Sequence, residues 1–152
     1  MTRSELAKNY FEQGFACSQA VAKAFVDLTN VKEEELEKIT LPLGGGLGRL
    51  RLTCGAVSGM AVIAGLLFSD GTNTPENKLN VYEITRELVD RFKIVHKTII
   101  CQELLESPGT LVEIGGKPDE RTKEYYAKRP CSLIVYNAAK VLEQYIVEKG
   151  II

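Results

Sequence analysis

The sequence lacks any stretch long and apolar enough to cross a bilayer. Its greasiest run, Met60 to Phe68, falls far short of the ~20 residues that a spanning helix needs. No leader is expected either: Met1-Thr2-Arg3-Ser4-Glu5-Leu6-Ala7-Lys8 has no unbroken apolar segment, does not read as a signal peptide, and the chain is expected to be cytoplasmic. Neither sign of charge dominates. With 19 Lys and Arg against 20 Asp and Glu, the net charge of −1 leaves no basic face to displace phosphate counterions, and no nucleic-acid partner is expected. No segment alternates polar and apolar residues with period two, which argues against a sheet. There is no repeat, linker or low-complexity tract. Cys-x-x-Cys is absent, which removes thioredoxin-type motifs and zinc-ribbon knuckles. A Cys–His nucleophilic pair would have to use the single histidine, His96, between Val95 and Lys97 at a helix bend; such a position is more often a surface or capping one.

What remains is a soluble composition, 45% hydrophobic and 26% charged over 152 residues. That fits one domain spanning 1–152, long enough to bury roughly 70% of the surface its unfolded chain exposes. The expected fold is all-α, a compact bundle of about five to seven helices with a glycine-rich loop before a buried central helix. Ser4 to Gln13 forms the first, closed by Gly14. Cys17, Ala20, Val21, Ala24, Phe25 and Leu28 make an apolar stripe on the second, and Asn30 breaks it. Glu33 to Leu41 is short and charged, stopped by Pro42. Cys54 to Phe68 is apolar nearly all round and so belongs to the core. A long helix from Glu76 carries Val81, Ile84, Leu88, Phe92 and Val95 on one face and bends near His96 to Thr98. Ser107-Pro108-Gly109 ends the element that holds Cys101. The irregular stretch Glu106 to Pro130 is functional, mobile or hides a short helix. Pro130 opens the last helix, which turns Cys131, Ile134, Val135, Ala138, Leu142 and Tyr145 inward, and Gly150 closes it.

Four cysteines, Cys17, Cys54, Cys101 and Cys131, carry most of the chemistry on offer. In a reducing compartment structural disulfides are rare. Each cysteine lies on the apolar side of its helix, where a thiol is often only a small hydrophobe. Cys17, Cys54 and Cys131 also fall in the first turn of a helix, as does Cys101 if one starts at Thr98. Free N–H groups and the positive end of the dipole favour a thiolate there and lower its pKa. Several such thiols pointing inward make a cluster-shaped environment, yet spacing alone leaves buried thiols, a metal or cluster site and a redox dithiol all open.

Glycine surrounds Cys54 on both sides. Gly55 and Gly59, four apart, allow another backbone to approach closely, within the chain or across a homodimer. Gly44 to Gly48 is too glycine-rich for regular structure. With Arg49 and Arg51 nearby it invites a phosphate, but Gly44-x-Gly46-x-x-Arg49 lacks the third glycine and no Gly-Lys-Ser/Thr follows, so no nucleotide is expected. The turn is expected instead to bring its backbone and N–H groups against the cysteines.

This Gly-Gly-Gly-x-Gly turn, then Cys54-Gly55-Ala56-Val57-Ser58-Gly59, with one cysteine before and two after, resembles the redox-active C_GCAxxG_C_C family over nearly the whole chain. The resemblance implies a small, mostly helical bacterial or archaeal protein whose four cysteines form the functional centre. Split-Soret cytochromes carry a similar cysteine region associated with an iron–sulfur cluster. The resemblance therefore implies Cys17, Cys54, Cys101 and Cys131 as ligands of such a cluster, with zinc the lesser choice, Gly55 and Gly59 beside it, and electron transfer to an unidentified redox partner. Two other readings stand beside it: a thiol–disulfide oxidoreductase with Cys54 attacking and a second cysteine resolving, and a helical interaction module with inert core cysteines.

Overall fold

The computed structural model describes residues 1–106 and 111–152, and these are all-α. The described residues hold eight helices: α1 (Arg3–Glu12), α2 (Cys17–Lys23), α3 (Glu33–Thr40), α4 (Gly55–Phe68), α5 (Pro75–His96), α6 (Cys101–Glu106), α7 (Lys123–Lys128) and α8 (Cys131–Glu148). The long elements follow the apolar periodicity, and the irregular stretch before Pro130 does hide a short helix, α7. The stop expected at Ser107-Pro108-Gly109 lies outside the described residues.

Local chemistry sets the helix starts. Thr2 and Glu5 form a capping box on α1, with Glu5 N–H donating to Thr2 Oγ1 at 3.1 Å and Thr2 N–H to Glu5 Oε2 at 2.9 Å. Thr74 caps α5 and Pro75 takes its first position, where a missing N–H costs nothing. That helix ends at His96 because Lys97 turns left-handed, at φ 70°. One expectation changes. The stripe from Cys17 to Leu28 is not one helix: α2 stops at Lys23, and Val26–Leu28 is a single 3-10 turn. Arg3 of α1 accounts for the break, since its Nη1 donates to Ala24 O at 2.7 Å and pairs with Asp27 at 2.6 Å.

Helix α4 lies against α2 and α5, while α1 packs on α8 and α2. One hydrophobic cluster runs through them, with Phe25, Leu36, Ile63, Phe92, Leu142 and Ile146 wholly buried. Helix α3 is fastened to α2 by polar groups. Ser18 Oγ donates to Thr40 O at 2.6 Å, and buried Lys23 reaches Glu33 at 2.7 Å and Glu37 at 2.5 Å across the rings of Tyr10 and Phe15. The glycines of α4 serve this packing: a Cβ on Gly59 would lie 2.8 Å from Ser18 O. The small-residue face is thus occupied by α2 of the same chain. The N-terminal ends of α2, α4, α6 and α8 line one cavity together with residues of the segment 111–129.

Candidate functional site

Two short stretches of backbone set the site. Between α4 and the turn before it, residues 51–54 run beside 99–102 and are joined by the Thr53–Ile100 bridge. Cys54 N–H donates to Ile99 O at 2.7 Å, Cys101 N–H to Leu52 O at 2.6 Å, and Gln102 N–H to Arg51 O at 3.2 Å. These bonds place Cys54, the capping residue of α4, next to Cys101, the first residue of α6. Cys17 and Cys131 are likewise the first residues of α2 and α8. All four cysteines therefore stand at helix starts, although Cys54 precedes the first turn of α4 instead of lying within it.

The glycine turn is built to let this happen. Gly45, Gly46, Leu47, Gly48, Arg49 and Arg51 all have positive φ. For the three non-glycine residues this backbone costs about 1 kcal/mol or more each. A Cβ on Gly46 would stand 2.7 Å from Cys101 Cβ and 2.6 Å from Leu52 N, so only glycine fits. The expectation that the turn's N–H groups face sulfur is corrected in detail. Gly48, Arg49 and Arg51 N–H donate to carbonyls of Pro42, Gly44 and Gly45, and the amides that act on a sulfur come from α4.

The result is a cavity of about 290 Å³ lined by Cys17, Cys54, Cys101 and Cys131 together. Gly55 lines it too, while Gly59 does not. Apolar walls come from Phe11, Leu104, Leu105 and Ile134. The segment 111–129 borders it through Gly116, Pro118, Asp119, Arg121, Tyr125 and Arg129, and is held down by arginines. Arg51 Nε donates to Glu113 O at 3.0 Å, Arg49 Nη1 to Lys117 O at 2.7 Å, and Arg121 to Phe11 O and Phe15 O at 2.9 and 3.1 Å. Gly115 N–H adds a bond to Arg49 O at 2.8 Å. Arg129 pairs with Asp119 at 2.6 Å.

Burial decides the protonation of these thiols. It drives Cys54 well above the ordinary cysteine range, helped by the charge of Cys17; the first-turn amides of Val57 and Ala56 oppose the shift and lose. Cys131 is pushed up to about 12, first by burial and then by Cys17, with Arg129 opposing. Cys101 is also raised by burial, and Arg51, whose Nη1 approaches its sulfur at 3.9 Å, pulls it back in part. The helix-start argument thus has the right direction for the amides but the wrong outcome for the thiols: desolvation outweighs it, and Cys54 is not a low-pKa nucleophile in this state.

His96 stays outside the cavity. It stacks on Phe92 with centroids 4.8 Å apart, Nε2 lies 3.1 Å from Asn137 Nδ2, and burial lowers its pKa. Among the described residues no three His, Cys, Asp or Glu side chains stand close enough to hold a single metal ion. The residues that sequence reasoning missed are Arg121, Arg129 and Asp119. They lie in the irregular stretch, where no periodicity points to a side chain's direction; the arginines themselves were the available signal. No helix among the described residues is long and apolar enough to cross a membrane.

Compared with known families, residues 15–145 match the model described as "Putative redox-active protein (C_GCAxxG_C_C)". No curated protein and no solved structure matches the chain.

Proposed function

We propose, from the premise that this chain belongs to the C_GCAxxG_C_C family of redox-active proteins, that its four cysteines ligate an iron–sulfur cluster used in electron transfer. The observation that carries the reading is the cavity with a cysteine at each of four converging helix starts. A zinc ion holds each sulfur at about 2.3 Å and needs its ligands gathered at one point. Thiols that line one cavity from four helix starts suit an occupant several atoms wide. Cys17, Cys54, Cys101 and Cys131 are the ligands in this reading, and the bound group supplies reversible one-electron exchange. The chain's own residues do the rest. The Ala56 and Val57 amides and the Arg51 guanidinium favour the anionic form of Cys54 and Cys101. The segment 111–129 lines one side of the cavity through residues such as Gly116, Arg121 and Tyr125. A thiol–disulfide oxidoreductase led by Cys54 gains no support from a thiol that burial keeps protonated.

The test is anaerobic purification followed by iron and acid-labile sulfide analysis and a visible spectrum. The expected result is a coloured protein whose bands bleach with dithionite and vanish in Cys54→Ser. Colourless protein free of iron and zinc overturns the reading. A reversible loss of thiols in pairs on mild oxidation would favour the dithiol enzyme instead.

A further inference from the structure

The glycine turn and the residues leading into it are inverted in polarity. From Ile39 to Thr53 the only charged residues are Arg49 and Arg51, in a chain where charge makes up 26% of the sequence. Both arginines are buried, at 9 and 4% exposure. The large apolar residues of the same stretch face outward instead: Ile39, Leu41, Leu47, Leu50 and Leu52 are each 46 to 56% exposed. A soluble chain ordinarily places these side chains the other way round.

The backbone holds the inversion in place. Leu47, Arg49 and Arg51 are left-handed, at φ 70°, 65° and 61°, a conformation that residues with a Cβ rarely adopt. Leu50 N–H donates to Leu47 O at 3.0 Å, Leu52 N–H to Gly46 O at 2.9 Å and Gly48 N–H to Pro42 O at 2.9 Å, which folds the stretch back on itself. The Thr53–Ile100 bridge adds Ile100, also exposed, to its edge. In an isolated chain, backbone strain that turns leucines toward water has no packing gain to set against it. A partner that covers the leucines supplies that gain.

We infer that a second copy of this chain docks on this face and makes a twofold homodimer. Partners of another kind are steered and set in register by complementary charge, and the stretch from Ile39 to Thr53 exposes none. A face without charge meets its own copy across a twofold axis without setting like against like. The area agrees. Six such side chains near half exposure leave on the order of 500 Å² of apolar surface, a patch of the size that marks interaction sites. A standard interface takes about 800 Å² from each partner, of which about 65% is apolar in homodimers, or roughly 500 Å². The small-residue face of α4 is not the contact, because α2 of the same chain fills it. Leu41 belongs to both the outer face and the lining of the cysteine cavity, so the dimer contact adjoins the site. The inference does not rest on the cluster reading, since each protomer keeps its own four cysteines.

The experiment is sedimentation equilibrium on the reduced 152-residue chain over a wide concentration range. The wild type should fit a monomer–dimer equilibrium. Leu50→Glu should raise the dissociation constant about 100-fold or more, because the axis brings two carboxylates together on a face that was apolar. Leu79→Glu is the control: Leu79 is as exposed but lies on α5, and its substitution should change nothing. Should Leu50→Glu fail to fold, hydrogen exchange on the wild type decides, with protection that grows with concentration expected in 39–53 and 99–101. A wild type that stays monomeric, a dimer indifferent to a folded Leu50→Glu, or concentration-dependent protection elsewhere each overturns the inference. A monomer that binds neutral phosphatidylcholine vesicles through this face overturns it too, and gives the face to a membrane surface. Iron and sulfide content test the cluster separately, so either proposal can fail alone.

Discussion

Gly55 and Cys17 are in contact so close that a Cβ on the glycine would run into the cysteine sulfur, and on its other side would lie 3.0 Å from Leu43 O. Helix α4 therefore meets the start of α2 with nothing but a hydrogen between them. Gly55→Ala should force Cys17 away from Cys54. Overpacking of this kind costs about 1–3 kcal/mol, partly offset by the ~1 kcal/mol gained when alanine replaces a helical glycine. Gly65 of the same helix has nothing within 4 Å of an added Cβ, so Gly65→Ala should stabilise by roughly 0.5–1 kcal/mol. Urea denaturation of the two variants checks the contrast, and opposite signs are expected.

The raised thiols predict an alkaline weakness in the reduced, metal-free protein. Below about pH 8.5 both the folded and the unfolded chain hold the Cys131 proton, and the full contribution to stability is present. Above that pH the unfolded thiol ionises, while the folded one holds its proton until about 12. The native state then binds the extra proton, so stability must fall as pH rises. Each such thiol contributes at most about 1.4 kcal/mol per pH unit to the decline. Denaturation midpoints between pH 7 and 10.5 should drop, and Cys131→Ala should flatten the curve; a slope identical to wild type would contradict the assignment.

Arg51 sets Cys101 in the opposite direction to burial. Its guanidinium approaches the sulfur at 3.9 Å and lowers a thiol that desolvation has raised. Arg51→Gln should move the Cys101 pKa further up. Alkylation of Cys101, followed by peptide mass spectrometry against pH, should show its ionisation step displaced to higher pH. Arg51→Lys should restore only part of the difference, because an ammonium on a flexible stem does not present the same fork.

How far the sequence foretold these relationships depends on the kind of signal each residue carries. Phe92, Leu88 and Ile84 repeat at helical spacing, and so the core face of α5 was readable without coordinates. Cys17, Cys54 and Cys131 were readable as helix starts because Pro130, Gly55 and the apolar stripe from Cys17 mark those ends, while Cys101 was one only on the condition of a helix beginning near Thr98. Their degree of burial was not, since whether a helix start faces solvent or a cavity depends on what lies over it. The cover here is residues 111–129, tied down by arginine–carbonyl pairs whose partners stand 62 to 110 positions apart along the chain. Such pairings leave no periodic trace. Arg49 and Arg51 were visible beside the glycine turn, but only the left-handed backbone at both turns them to one cavity.

Arg121 is the clasp of that cover, and its loss should open the cavity without dissolving the fold. Its two terminal nitrogens donate to Phe11 O and Phe15 O, one at the end of α1 and one just beyond it, where a cation also meets the negative end of the helix dipole. Its plane lies over the rings of Phe11 and Tyr125 at 4.4 and 5.0 Å. Arg121→Met removes the bonds and the charge but keeps much of the apolar stem, so a cost of about 1–3 kcal/mol is expected. Because the core of α1, α2, α4, α5 and α8 does not run through the cover, far-ultraviolet circular dichroism should be unchanged. Hydrogen exchange should accelerate in 111–129, and iodoacetamide should reach Cys131 and Cys17, both only partly buried, several-fold faster. Arg121→Lys should not rescue, since one ammonium cannot bridge two carbonyls 3 Å away while stacking on a ring. Unchanged alkylation in Arg121→Met would mean that the cover is held without it, by Arg49, Arg51 and the Tyr126 hydroxyl on Phe11 O and Glu12 O.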